Sequence, residues 1–103
     1  MSKTLEQVAP RVLPDDYWEG ELVPRDDPSA AIVSINPGRV SGIACFVGTR
    51  VPLQILWDHL EEGPSMDDFL DGFEGVSREQ AQTVLRMALR KLLESLPEST
   101  PWR

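Results

Sequence analysis

Residue types that could carry chemistry are few in this sequence, and they are scattered. There is one cysteine, Cys45, and one histidine, His59. A thiolate activated by an imidazole makes a nucleophile when a third group orients the base. Here the pair falls on different predicted elements, and no third member is marked. Cys45, in Ala44-Cys45-Phe46-Val47, reads as a small buried hydrophobe. His59, at the acidic end of a predicted helix, reads as a surface or dimer-contact residue. One His and one Cys also fall short of a zinc ligand set. The carboxylates Asp58, Glu61, Glu62, Asp67, Asp68 and Asp71 lack the Asp-x-Asp-x-Asp-Gly spacing of a calcium loop. They read better as helix surface and as charges complementing a helix N-terminus. The expectation is a protein without catalysis, metal or cofactor.

Three other groups point to binding. The most distinctive local string is Gly48-Thr49-Arg50, followed by Val51-Pro52. It lacks the second Gly and the Lys of a phosphate loop. Gly48 permits tight backbone geometry, and Thr49 can cap a helix opening near Pro52. Arg50 can pair with Asp58, or reach a phosphate or an acidic partner. The plainer reading, which we favour, is a strand-to-helix junction. The second group is a stripe of Glu79, Thr83, Arg86 and Arg90, with Arg78 nearer the helix start and Gln82 beside it. Arg and Gln read base edges in DNA, so Arg78, Gln82, Arg86 and Arg90 are the DNA-binding candidates. The alternative is a solvated face whose cations favour the helix C-terminus. The third group is Tyr17, Trp18, Leu22 and Trp57, candidate anchors of a dimer or partner interface, since aromatics are enriched in interface hot spots. The competing role for these aromatics is to cover a small core.

Composition limits what can position these residues. A chain of 103 residues supports one modest domain. With 41% hydrophobic and 26% charged residues it is ordinary globular material. No apolar run approaches the ~18 residues of a membrane span, and the opening Met1-Ser2-Lys3-Thr4-Leu5-Glu6 has no apolar signal region. The lone Cys45 fits a reducing compartment, so a cytoplasmic location is expected. The formal net charge of -7 argues against non-specific coating of nucleic acid. That charge is uneven: residues 1–30 carry -4, residues 31–76 carry -5 and residues 77–103 carry +2.

The elements follow from pattern. Residues 1–30 are broken by Pro10, Pro14, Pro24 and Pro28 and read as an extended arm, which packs on its own domain, on a second subunit or on a partner. Residues 31–96 form the domain, and residues 97–103 a tail in which Trp102 can serve as an anchor. Ala31-Ile32-Val33-Ser34-Ile35 predicts a strand, Asn36-Pro37-Gly38 a turn, and Cys45-Phe46-Val47 a second strand of a small antiparallel ribbon. Val51, Leu53, Ile55, Leu56 and Leu60 mark a first helix, closed by Gly63 and Pro64. Ser65 caps a second, Met66 to about Gly72. Ser77 caps a third, with Gln80 completing a capping box. Ala81, Val84, Leu85, Ala88, Leu89 and Leu92 recur on one face of that helix.

Three helices, the last two joined by a Gly-containing turn, are the ingredients of a helix-turn-helix. The strings Gly48-Thr49-Arg50-Val51-Pro52, Gln54-Ile55-Leu56, Glu62-Gly63, Ser65-Met66-Asp67-Asp68-Phe69-Leu70 and Val76-Ser77-Arg78-Glu79-Gln80-Ala81, with Leu85, resemble the bacterial family called domain of unknown function 433. The resemblance spans about residues 32–93 and puts Gly48, Thr49, Arg50 and Pro52 in the family motif. It implies a fold similar to homeodomain-like and winged helix-turn-helix proteins. It also implies an antitoxin role, since many members are encoded beside toxins with a PIN-type nuclease fold. The chain departs from the family at Ser41-Gly42-Ile43-Ala44-Cys45-Phe46-Val47, where a Lys and a Pro are usual. Glu74-Gly75 stands where a Pro is frequent, and the arm lies outside the family core.

The fold expected is therefore mainly α: a three-helix helix-turn-helix-like core preceded by a short two-stranded ribbon and an N-terminal arm. The function expected is an antitoxin-type module that inhibits a small nuclease, pairs as a homodimer and represses its own operon. The alternatives are a stand-alone DNA-binding regulator and a structural dimerisation module.

Overall fold

The computed structural model describes residues 13–98 and Thr100. The first twelve residues of the predicted arm, and Trp102 in the tail, lie outside the described residues. The fold is mainly α, with a short antiparallel ribbon ahead of three helices. The ribbon pairs β1 (Val33–Ser34) with β2 (Cys45–Phe46), in the register Val33 to Phe46 and Ser34 to Cys45. The helices are α1 (Leu53–Glu61), α2 (Met66–Gly72) and α3 (Arg78–Glu94).

β1 is shorter than the apolar run 31–35 predicts. Asp27 accepts a hydrogen bond from the Ser29 amide at 2.8 Å, and Pro28 opens a 3-10 turn that absorbs Ala31. An Asp cap followed by Pro favours that turn over extension. The following turn is as its chemistry dictates: Asn36 Oδ1 accepts from the Gly38 amide at 2.9 Å. Beyond it, Val40, Ser41 and Gly42 all have positive φ, at 49°, 54° and 80°. A β-branched residue is rare in this region, so Val40 sits there under the constraint of its neighbours.

α1 begins after Pro52, whose φ of -60° and ψ of 144° place it just outside the helix. α2 and α3 each open on a reciprocal capping box. Ser65 accepts from the Asp68 amide while Asp68 accepts from the Ser65 amide. Ser77 and Gln80 do the same for α3. Each box satisfies two of the backbone donors a helix start leaves open.

The core holds Ile32, Phe46, Leu56, Phe69, Val76, Ala81 and Val84. One ribbon residue, one or two residues from each helix and the α2–α3 turn meet there. Phe69 is its hub, with ring centroids 6.2 Å from Phe46 and 5.0 Å from Phe73. His59 packs edge-on to Phe69 and Phe73, at 5.7 and 6.0 Å, so this half-buried ring leans on the core. Burying side chains of this size stabilises by about 1.5–3 kcal/mol each.

α3 outruns this core. Its 17 residues span about 25 Å. Gln80, Ala81, Thr83 and Val84 are buried, all in the first half. Ala88, Leu89 and Leu92, predicted on the same face as Ala81 and Val84, are exposed. Periodicity sets which residues share a face; it does not supply anything to cover them.

Candidate functional site

The Gly48-Thr49-Arg50 string turns the chain from β2 toward α1. Gly48 has φ of 77°, which a side chain would disfavour. The Thr49 hydroxyl donates to the Phe46 carbonyl at 2.8 Å and accepts from the Val51 amide at 3.0 Å. Thr49 thus pins the turn before α1, and Pro52 stands at the helix cap without a side-chain bond. The Thr49 methyl lies against Gly75, so close that a Cβ at Gly75 would meet it at 3.0 Å. The motif therefore locks β2 to the α2–α3 turn. Arg50 is exposed and makes no ion pair among the described residues. Asp58, the partner considered for it, accepts instead from Gln54 at 3.0 Å.

The described part of the arm lies along its own domain. The Tyr17 hydroxyl accepts from the Gly48 amide at 2.8 Å, so the arm fixes the motif turn directly. The Tyr17 ring lies 3.8 Å under the Arg39 guanidinium, a cation–π contact. Trp18 meets Tyr17 edge-on at 5.3 Å, and the Arg25 guanidinium lies over the Trp18 ring at 5.3 Å. The Trp18 Nε1 is buried without a hydrogen-bond partner among the described residues.

Glu21 is the residue that sequence reasoning missed. Its side chain is 2% exposed. It accepts from the Ser34 hydroxyl at 2.7 Å, from the Ile35 amide at 2.5 Å and from Arg39 Nη2 at 3.0 Å. A buried carboxylate needs this set of partners. Nothing local in Gly20-Glu21-Leu22 signals it, because every partner lies 13 to 18 residues away.

The remaining candidates are separated. Leu22 is 63% exposed. Trp57 is half-buried and lines an apolar groove of about 210 Å³ with Val33, Leu53, Val84, Met87, Ala88 and Lys91. On α3, Arg78 is ion-paired to Asp67. Gln82 is half-buried, Thr83 is buried, and Arg86 and Arg90 are exposed. Cys45 is 4% exposed, and its thiol donates to the Ile43 carbonyl at 3.4 Å. Burial pushes that thiol up from its ordinary range, while Arg39 and Arg50 pull it down. Cys45 and His59 are not brought together in any hydrogen bond.

Two surfaces stand out. Between residues 51 and 77 lie Asp58, Glu61, Glu62, Asp67, Asp68, Asp71 and Glu74, all exposed, with no Lys or Arg among them. These are the exposed carboxylates of α1, α2 and their turns, of which Asp67 is ion-paired to Arg78. The other is the end of α3 and the turn just past it, where Leu89, Leu92, Leu93 and Leu96 are each at least half exposed. Among the described residues no group of His, Cys, Asp and Glu is placed to hold a metal, and no helix is long and apolar enough to cross a membrane.

No curated protein and no solved structure matches the chain. Residues 33–88, more than half of it, match the family described as Protein of unknown function (DUF433). The match begins at β1 and ends inside α3, taking in the Gly-Thr-Arg turn and both capping boxes. The chain belongs to the DUF433 family.

Proposed function

We propose that this chain is a protein-binding module of the antitoxin type, which docks on a small nuclease and blocks it. The observation that carries the reading is the run of exposed carboxylates on α1, α2 and their turns. A nuclease holds its polyanionic substrate on a positive surface, and the exposed carboxylates between residues 58 and 74, of which, among the described residues, only Asp67 is ion-paired (to Arg78), complement such a surface. In this reading the chain performs no catalysis, needs no cofactor and works in the cytoplasm.

Repression of its own operon is the second part of the proposal. α2, the turn at residues 73–77 and α3 would act as a helix-turn-helix, with Gln82, Arg86 and Arg90 toward DNA. The exposed Arg86 on the one basic stretch of the chain favours it. Arg78 would first have to release Asp67. Stand-alone DNA binding would instead show as sequence-specific affinity with a steep salt dependence.

The test is a pull-down of the tagged chain from its own cell extract, treated with nuclease and read by mass spectrometry, followed by assay of the captured protein. A small basic ribonuclease, retained stoichiometrically, inhibited by this chain and released when Asp67, Asp68 and Asp71 are changed to Asn, is the expected result. A captured protein indifferent to those three changes, or no protein at all, would overturn the reading.

A further inference from the structure

The apolar groove between α1 and α3, beside Trp57, has room for one large side chain. At about 210 Å³ it is smaller than the roughly 300 Å³ at which small-molecule pockets begin. Apolar cavities of about 150 Å³ already take a benzene ring, so this groove is the size of an indole. Its lining is apolar except for Lys91 and carries no side-chain oxygen. A polar ligand would find one ammonium there and no acceptor.

The α3 wall of the groove includes a stripe, Val84, Ala88 and Lys91, at spacings of four and three. Four residues further along the same stripe is Ser95, where the helix ends. The chain therefore leaves α3 on the face that lines the groove. The Ser95 hydroxyl donates to the Leu92 carbonyl at 2.7 Å and closes the last turn. The chain bends at Leu96, and Pro97 cannot continue a helix.

We propose that Trp102, from this chain's own tail, fills the groove. Reach permits it. Ser95 and Trp102 are seven residues apart, about 22 Å in the extended conformation that Pro97 and Pro101 favour. Ser95 and Ala88 are also seven residues apart, but along a helix that is only about 10 Å. Size selects the residue. After Ser95 the only large apolar side chains are Leu96 and Trp102. Leu96 sits at the bend, half exposed, and does not line the groove. Residues 1–12 offer Leu5, Val8 and Val12, each smaller than the space. The two prolines stiffen the tail, which lowers the entropy lost when it docks. With no acceptor in the lining, the indole N–H faces the open side, and Lys91 adds the attraction of an ammonium for an indole face. Trp102 is then a plug: a partner that anchors on Trp57 must first displace it. The inference stands apart from the identity of any nuclease partner.

Nuclear Overhauser spectroscopy of the full chain, at two concentrations tenfold apart, is the experiment. The expected result is a set of contacts from the Trp102 ring protons to the Met87 and Ala88 methyls, equally strong per molecule at both concentrations. These contacts are read in the unmodified chain, so no substitution can disturb them. Trp102→Ala should then shift the Met87 and Ala88 methyls, as the ring current of the indole is lost, and leave the Leu22 methyls in place. A Trp102 ring without contacts to the two methyls would overturn the proposal. So would contacts that strengthen with concentration, which would mean the tail of a second copy, or contacts to the groove from Leu5, Val8 or Val12 instead.

Discussion

Two stretches of this molecule solve the problem of an unfinished surface in opposite ways. Along Tyr17 to Leu22 the chain is tied to the ribbon by polar bonds, several from groups that water does not reach. Along Leu85 to Leu96 the surface exposes Leu89, Leu92, Leu93 and Leu96 between charged side chains, of which Lys91 pairs with Glu94 at 3.8 Å. The first stretch lies outside the residues that match the family, and yet it is the more firmly held. The second begins inside the match and ends beyond it. The difference teaches that polar groups, once buried, fix one arrangement, because any other leaves them unpaired. Apolar surface only asks to be covered, by whatever fits.

The largest test of this contrast is Glu21→Ala. It leaves Arg39, Ser34 and the Ile35 amide without their common acceptor, and removing one member of a buried ion pair costs about 3–5 kcal/mol. The urea midpoint should fall accordingly. A loss below about 1 kcal/mol would show that the arm is held by its apolar side chains instead.

Next in size is the capping box of α3. Ser77→Ala removes the acceptor for the Gln80 amide and should cost about 1 kcal/mol. Hydrogen exchange should rise in the first turn of α3 and leave the arm unchanged. Gly75→Ala should cost a comparable amount through its contact with the Thr49 methyl. Thr49→Ser, which keeps the hydroxyl and removes that methyl, should recover most of it in a double-mutant cycle.

The smallest effect sharpens the comparison from the other side. Leu92→Gln should change the stability of the isolated monomer by less than about 0.5 kcal/mol, because half of that side chain already faces water. Thermal melts of the dilute chain measure it. A large loss would mean that the α3 end is a structural part of the fold and not a surface awaiting a partner.

What could be read from the sequence divides along the same line. The capping boxes at Ser65 and Ser77 and the Asn36-Pro37-Gly38 turn were legible, because each is a local arrangement of a few residues. The three helices were legible from apolar spacing, and the motif Gly48-Thr49-Arg50 was legible as a strand-to-helix junction. Thr49 was expected to cap α1 but holds the turn before it, since Pro52 puts the helix start one residue further on. Glu21 was illegible, because a carboxylate in a proline-broken stretch looks like solvent-facing charge until its distant partners are known. The bareness of the α3 end was illegible from periodicity, although 17 helical residues against two helices of nine and seven leave a length mismatch that could have signalled it.

The arm has one more effect on how the chain behaves in solution. The Leu22 amide donates to the Ile35 carbonyl at 2.8 Å, and Glu21 takes the Ile35 amide. Together they occupy both backbone groups of Ile35, just past the end of β1. On the far side of the ribbon, the Val51 carbonyl accepts from the Phe46 amide and so occupies β2. An open strand edge is a template on which other chains can add strands. This ribbon offers none at those positions, so self-association is steered away from β-stacking. A fragment trimmed to the residues that match the family, starting at Val33, would lose that guard and should precipitate where the full chain stays clear.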